Sequence, residues 1–331
     1  MKTVIDPACG SGGFFLAAYD WLTENNKLDK DEKMFLKNST FHGNEIVAST
    51  RRMCLMNLYL HGIGEIDAEP LVKSNDALIA AESQTYDYVL ANPPFGKKSG
   101  MTVTNEDGDI EKEDISYNRQ DFWETTSNKQ LNFLQHIKSL MKIDGEAAVV
   151  LPDNVLFEGG AGEEIRKQLL KTTDLHTILR LPTGIFYANG VKANVLFFNN
   201  KPASKEAWTK EVWFYDYRTN VHHTLKKKPL TESDLLDFIE CYNASNIYKR
   251  KETWSEENPD GRWRKYSYDE IIARDKTSLD IFWVKDQSLT DLDNLPDPDV
   301  LALEIIDNIE AGLASFREIV SELEEVEMVK N

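Results

Sequence analysis

The sequence predicts an α/β fold with a mostly parallel sheet of seven strands and a mainly helical C-terminal extension. Short apolar runs alternate with segments of helical period over the first 200 of the 331 residues. The first runs end at an acid, a glycine cluster or paired prolines. Strand followed by helix, repeated, is typical of a parallel sheet with helices on both faces. Beyond about residue 200, aromatic and basic residues become frequent, which indicates a different kind of structure there.

The elements are predicted in order along the chain. Helices are expected from Phe14 to Asn25, from Val47 to His61, and along the face that carries Leu131, Leu134 and Met141. Residues 97–129 show no apolar period, which predicts a functional or disordered loop. The seven strands are expected at 4–5, 39–46, 71–78, 86–96, 146–152, 175–182 and 193–200.

The chain is expected to divide into a core at 1–200 and an extension at 201–331. Near its end, apolar residues recur in steps of 4, 3, 4 and 3, which is the spacing of a heptad seam. This seam could dock a partner helix or could pack on the chain's own core, and the pattern does not choose between them. The seam residues are Ile309, Leu313, Phe316, Val320 and Leu323.

Composition restricts the function. The net charge of −18 is unfavourable for gripping nucleic acid unaided, because phosphate neutralisation dominates that affinity. A DNA-directed function therefore requires a local basic patch or a partner. No apolar run is long enough to predict a membrane span. Cys9, Cys54 and Cys241 form no CxxC pair, which favours a reducing compartment and argues against structural zinc.

The first strand leads into "DPACGSGG", residues 6–13. Glycines at this place allow a ligand to approach the backbone, and the following helix offers free N–H groups. A plain tight turn explains the cluster equally well, and neither GxGxxG nor a Walker motif is present. Glu45 and Asp76 follow the next two strands. They could bind a ribose hydroxyl and an adenine amino group, or could be ordinary acids at strand ends and turns.

The fourth strand ends in "NPPF", Asn92 to Phe95. Two prolines fix two φ angles and remove two backbone donors. The strand end becomes rigid, with the Asn92 amide and the Pro93 carbonyl at the sheet edge and Phe95 following them. This set suits a flat amine substrate, although prolines that simply end a strand would look the same.

"DPACGSGGF" followed by "NPPFG" resembles the adenine-N6 DNA methyltransferases of the gamma order, which use S-adenosylmethionine. The text from "NKQLNFLQHIKSLMKIDGEAAVVLPDNVLFEGG" to "GVKANVLFF", and "IIARDKTSLDIFW", is similar to the methylation subunit of type I restriction–modification enzymes. The resemblance implies a Rossmann-like methyltransferase core at 1–200. It implies that Asn92, Pro93, Pro94 and Phe95 form the catalytic motif. The residues implied to contact the cofactor are Asp6, Pro7, Ala8, Cys9, Gly10, Ser11, Gly12, Gly13, Phe14, Glu45, Asp76 and Asn92.

The resemblance also implies a setting for the chain. The expected partners are DNA, a specificity subunit, a restriction subunit and a second methylation subunit, in the cytoplasm. Family members carry a helical domain before the glycine motif, and here only Met1 to Thr3 precede the first strand. A fragment, or half of a split protein, with an incomplete cofactor pocket is therefore expected. Methylation of protein glutamine or RNA, or a non-enzymatic assembly role, remains the alternative.

Overall fold

The computed structural model describes residues 1–96, 100–104, 110–114, 117–186 and 190–286, and the single positions 302, 305, 306 and 309. Eleven strands are present in these residues. The strands are β1 (Val4–Asp6), β2 (Phe41–Asn44), β3 (Val72–Lys73), β4 (Tyr86–Ala91), β5 (Gly100–Thr104), β6 (Ile110–Asp114), β7 (Met141–Pro152), β8 (Thr173–Leu181), β9 (Ala193–Asn200), β10 (Glu211–Asp216) and β11 (Trp263–Ser267).

Nine of these strands form one sheet, in the order β11-β10-β8-β9-β7-β4-β1-β2-β3. The pairs β1–β2, β1–β4, β2–β3 and β4–β7 are all parallel. In the register, Ile5 lies opposite His42 on one side and Val89 on the other, and Ala91 lies opposite Val149. The predicted α/β class and parallel arrangement are therefore confirmed in this half of the sheet.

Helices follow most of the parallel strands, and several begin at recognisable caps. Asp29 and Glu32 form a capping box at α2, and the Asn128 side chain accepts N–H groups at the start of α4. Within the described residues, no helix is long and apolar enough to cross a bilayer. The helices are α1 (Gly13–Asn25), α2 (Lys30–Asn38), α3 (Ala48–Leu60), α4 (Lys129–Leu140), α5 (Asn154–Phe157), α6 (Ala161–Thr172), α7 (Leu236–Tyr242) and α8 (Tyr268–Ile272).

The predicted number of strands was wrong, since the sheet has nine strands and not seven. The two additional strands, β10 and β11, lie in the extension that was expected to be mainly helical. Across residues 201–286, the α-helices α7 and α8 are only seven and five residues long. Five of the six residues of β10 are buried, so its side chains show no alternation of apolar and polar. A fully buried strand cannot be distinguished from a buried helix by periodicity alone.

The described residues within 97–129 include two strands, where a loop was predicted; residues 97–99, 105–109 and 115–116 lie outside the described residues. Strands β5 and β6 pair in antiparallel fashion from Gly100↔Asp114 to Thr104↔Ile110. This hairpin is a sheet of two strands outside the nine-stranded sheet. Pairing between backbones leaves no apolar period in a sequence.

The chain divides into two compact units that interleave along the sequence. The first consists of Met1–Leu179, Asn194–Phe214 and Lys265–Ile281. The second consists of Arg180–Ala193, Tyr215–Arg264 and Phe282–Asn331. The division at residue 200 stays a prediction, and each unit is assembled from three separated segments.

The first unit has an apolar cluster beside β1 and β2. Phe15 of α1 packs against Phe41 of β2 with ring centroids 5.5 Å apart. Cys54 and Leu58 of α3 are fully buried in the same cluster. This packing fixes the turn between β1 and α1.

Candidate active site

The carboxyl ends of neighbouring parallel strands carry the predicted site residues. Strands β4, β1, β2 and β3 are consecutive in the sheet and parallel, so their carboxyl ends lie along one edge. Asp6 is the last residue of β1, Glu45 follows β2, and Asn92 follows β4. Asp76 comes three residues after β3. Open α/β sheets bind ligands at this edge.

The turn after β1 depends on glycine. Gly10 and Gly12 adopt φ angles of 55° and 85°, which side-chain-bearing residues rarely adopt. Gly12 is also the N-cap of α1, and a Cβ atom there would lie 2.9 Å from Cys54 Sγ. The turn therefore rests directly on α3. Gly13 and Phe14, which begin α1, remain exposed at its N-terminus.

Two buried thiols lie below the turn. Cys9 Sγ and Cys54 Sγ are 3.9 Å apart, and both residues are buried. The contact with Cys54 and burial raise the pKa of the Cys9 thiol. These cysteines fill the space between the turn and α3. Three other predicted residues belong to the turn. Pro7 and Ala8 begin it, and Ser11, which is exposed, lies at its tip.

Asp6 is buried, with 3% of its surface exposed. Its Oδ1 accepts the Ala8 N–H at 2.9 Å, which holds the entry to the turn. Burial raises the pKa of the Asp6 carboxyl to about 7, and the nearby charge of Glu45 adds to the rise. The sequence predicted Asp6 as a candidate site residue but gave no sign of this raised pKa.

Glu45 connects the turn to the end of β2. Its Oε2 accepts the Gly10 N–H at 3.1 Å, and its Oε1 accepts the Val47 N–H at 2.8 Å. A carboxylate has about four acceptor positions, so two remain for hydroxyl groups of a ligand. Glu45 is therefore held in place and still able to accept.

Asp76 is held in a similar way. Its Oδ1 accepts the Leu78 N–H at 2.9 Å, and its Oδ2 accepts the Tyr117 hydroxyl at 3.2 Å. Arg119 Nη1 donates to the carbonyl oxygens of Ala77 and Leu78 at 3.3 and 3.4 Å. Tyr117 and Arg119 were not predicted, because they lie in the segment without apolar period. They link that segment to the loop after β3.

The "NPPF" motif lies at the same edge, directly after β4. Asn92 and Pro94 are exposed, Pro93 is buried and Phe95 is half-buried. Strand β4 is the sheet neighbour of β1, so the motif follows the strand next to the one that carries the glycine turn. An exposed amide thus lies beside the predicted cofactor loop.

These residues fit a nucleoside cofactor. Acceptor positions remain on two fixed carboxylates at neighbouring strand ends, which suits ribose hydroxyls and an amino-purine. The glycine turn and the exposed start of α1 leave backbone groups accessible beside them. The fit rests on Gly10, Gly12, Glu45 and Asp76.

Comparison with known families shows which family the chain belongs to. Residues 1–281 match the family described as N-6 DNA Methylase. The chain belongs to this family. It is 39% identical to the methylase subunit of the type I restriction enzyme StySJI from Salmonella typhimurium, over 97% of this chain and 64% of that subunit. It is 38% identical, over the same shares, to the EcoKI methylase subunit from Escherichia coli K12.

A solved structure agrees with this membership. The crystal structure of the EcoKI M protein superposes with a TM-score of 0.71 and 36% identity, covering 97% of this chain and 69% of that one. The predicted resemblance to type I methylation subunits and the predicted fold class are therefore confirmed. The chain spans 64% of the length of these two curated relatives.

Proposed function

We propose that the chain transfers a methyl group from S-adenosylmethionine to the N6 amine of adenine in DNA, as the modification subunit of a type I restriction–modification system. The observation that carries this proposal is the Asn92–Phe95 motif at the end of β4, the strand next to the glycine turn of β1. Membership of the N-6 DNA methylase family supports the same reaction.

S-adenosylmethionine would supply an electrophilic methyl group on a sulfonium. The turn of residues 6–13 would surround it, with Glu45 on the ribose hydroxyls and Asp76 on the adenine amino group. Tyr117 and Arg119 would act as positioning residues, since they hold Asp76 and the backbone after it. The chain thereby orders the cofactor loops before the target arrives.

At the target, Asn92 and Pro93 would act on the amine. The lone pair of the adenine N6 amine is delocalised into the ring, so the amine is a poor nucleophile. The Asn92 side-chain oxygen and the Pro93 carbonyl can each accept one amine hydrogen, which draws the nitrogen toward tetrahedral geometry and localises its lone pair. The nitrogen would then attack the methyl carbon in line, the carbon–sulfur bond would break to leave the neutral thioether, and the surplus amine proton would pass to solvent. Acceleration then comes from positioning and electrostatics. Phe95 offers a surface on which a base extruded from the duplex can stack.

Substitution of Asn92 tests the proposal. In the complete assembly, Asn92→Ala should reduce single-turnover methylation of DNA by roughly 100-fold or more, because a preorganised polar contact to the reacting group is lost. Asn25→Ala, at an exposed position near the end of α1, is the matched control and should retain the native rate. A near-native rate for Asn92→Ala would reject the assignment.

The partners are part of the same proposal. Two relatives are named as methylase subunits of type I restriction enzymes, and the net charge of −18 is unfavourable for gripping DNA alone. We therefore assign the choice of DNA sequence to a separate specificity subunit. A restriction subunit and a second methylation subunit would join the assembly, in the cytoplasm. Protein glutamine and RNA are less favoured substrates, because the matching family is one of DNA methylases.

A further inference from the structure

A cavity of about 540 Å³ lies between α5 and the segment that follows α8. Its lining combines an aromatic ring with two cationic side chains, one acid and one hydroxyl. Phe157, with 45% of its surface exposed, is the aromatic member. The lining residues are Phe157, Arg274, Asp275, Lys276 and Ser278.

A buried arginine, Arg166, holds the backbone of the segment 274–278, which carries the two cations. Arg166 of α6 is 1% exposed. Its guanidinium donates to the carbonyl oxygens of Lys276 and Thr277 at 2.6 and 3.1 Å. It also donates to the carbonyl oxygens of Val155 and Glu158 at 3.0 and 2.8 Å. One side chain thus joins both walls of the cavity.

The backbone of this segment is strained. Lys276 and Thr277 have φ angles of 52° and 49°, in the left-handed region. For a β-branched residue such as Thr277 this is a genuine outlier, and such strain concentrates at ligand-binding sites. In this conformation the Lys276 side chain lies across Gly159. A Cβ atom added at Gly159 would be 3.3 Å from Lys276 Cδ.

The cavity belongs to the edge of the sheet where the target motif lies. Strands β4 and β7 are parallel neighbours, with Ala91 opposite Val149. Asn92 follows β4, and α5 follows β7 after Asp153, so both continue from the same edge. The Leu279 N–H donates to the Leu156 carbonyl at 2.8 Å, which attaches the cationic segment to α5.

Acidic and basic side chains both surround the cavity, but the Lys276 ammonium group can still bind an anion. Asp275 lies 4.0 Å from Lys276 Nζ and is 90% exposed, so their attraction is weak. Glu163, whose pKa is lowered mainly by Lys167, is paired with that lysine at 2.5 Å. Arg274 donates from Nε to the Ser278 carbonyl and from Nη2 to the Asp280 carbonyl. Lys276 therefore presents an ammonium group that this weak pair leaves largely available.

We propose that this cavity binds the sugar-phosphate backbone of the DNA strand brought to the Asn92 edge, with Lys276 and Arg274 on a phosphate and Phe157 against the adjoining sugar or base. The proposal rests on the proposed function. It also gives a chain of net charge −18 a local pair of cations with which to contact DNA.

Lys276→Gln tests the proposal through binding rather than catalysis. The probe is a short fluorescein-labelled single strand of DNA, and its anisotropy is followed with the full chain at several salt concentrations. Loss of one phosphate contact should weaken binding about two- to fivefold, as for an exposed ion pair. The slope of log K against log salt should become shallower by about 0.7, the value for one contact to a single strand.

Two variants control the experiment. Lys276→Arg keeps the charge and should restore both affinity and slope. Lys33→Gln removes an exposed lysine of α2 and should change neither. A native slope for Lys276→Gln, an equal loss for Lys33→Gln, or no binding by the native chain at low salt would each overturn the proposal. If Lys276→Gln binds like the native chain while Asn92→Ala abolishes methylation, the proposed function stands and this inference fails.

Discussion

Asp6 shows how one residue is altered by its position in the fold. It is the last residue of β1 and is buried. Within the described residues, its carboxyl accepts one hydrogen bond, from the Ala8 backbone N–H. Burial removes water from the ionised form, so the pKa rises to about 7. The carboxyl is therefore protonated in the folded chain at pH values where it is ionised in the unfolded chain.

The pH dependence of stability follows from that difference. Below about pH 4 both states hold the proton, and the group has no effect. As the pH rises from 4 to 7, the Asp6 carboxyl ionises in the unfolded chain but stays protonated in the folded chain. Asp6 therefore progressively lowers the free energy of unfolding, and above pH 7 this decrease is complete. Asp6→Asn removes this loss. Its advantage over the native chain should grow by roughly 2–3 kcal/mol between pH 5 and pH 8.

Urea unfolding at these two pH values measures the effect. Asp20→Asn, at an exposed position of α1, is the matched control. Equal pH dependence in Asp6→Asn and the native chain would show that Asp6 is ionised in the fold.

At the scale of elements, the turn between β1 and α1 is shaped by α3. The two glycines of the turn share the left-handed conformation, but their surroundings differ. A Cβ atom at Gly10 would meet nothing within 4 Å, whereas one at Gly12 would lie 2.9 Å from Cys54 Sγ. Substitution at Gly10 therefore measures backbone strain alone, whereas substitution at Gly12 measures backbone strain together with the steric contact.

Alanine at each position should have a different effect. Gly10→Ala should cost about 1–2 kcal/mol of unfolding free energy, the strain of a left-handed L-residue. Gly12→Ala should cost about 1–3 kcal/mol more, because the added methyl group overpacks the contact with α3. Denaturant unfolding measures both costs.

A double-mutant cycle checks the cause. Gly12→Ala should be less costly in a Cys54→Ala background, where the sulfur is absent, while Gly10→Ala should cost the same in either background. Additive costs for Gly12→Ala and Cys54→Ala would contradict the steric explanation.

At the scale of the whole molecule, the proposed specificity subunit is consistent with the net charge and with an exposed apolar stretch. The net charge is −18. Near the C-terminus, the helical positions Ile305, Ile306 and Ile309 are 49%, 48% and 63% exposed. Ile309 begins the predicted heptad seam, and the remaining seam residues, Leu313, Phe316, Val320 and Leu323, lie outside the described residues. A partner helix is a suitable cover for such a stretch.

Deletion of residues 301–331 tests this docking function. The truncated chain should fail to co-purify with the specificity subunit, while its melting temperature stays native. The substitution Arg317→Gln within the same stretch is a control for charge and should leave the complex intact. A truncated chain that still forms the complex would place the docking surface elsewhere, and one that unfolds would assign the seam to the chain's own core.

Much of the site could be predicted from the sequence. Glycine clusters, terminal acids and paired prolines mark the ends of strands by local chemistry, so Asp6, Glu45, Asp76 and Asn92 could be named as candidates from the sequence, and the family resemblance gave each a predicted role. Parallel pairing then requires that strand ends share an edge. The local signals and this rule together predicted the class of fold, which is confirmed, and the place of the candidate site, which stays a prediction.

The tertiary structure alone decided the rest. Buried β10 has no apolar alternation, and the β5–β6 hairpin is held by backbone pairing, so neither leaves a periodic signal. Tyr117 reaches Asp76 across 41 residues, and Arg166 reaches Thr277 across 111. Contacts between residues so far apart, and the pKa shift that burial imposes on Asp6, depend on which surfaces meet when the chain folds. No local pattern encodes them, because packing and desolvation are properties of the assembled fold.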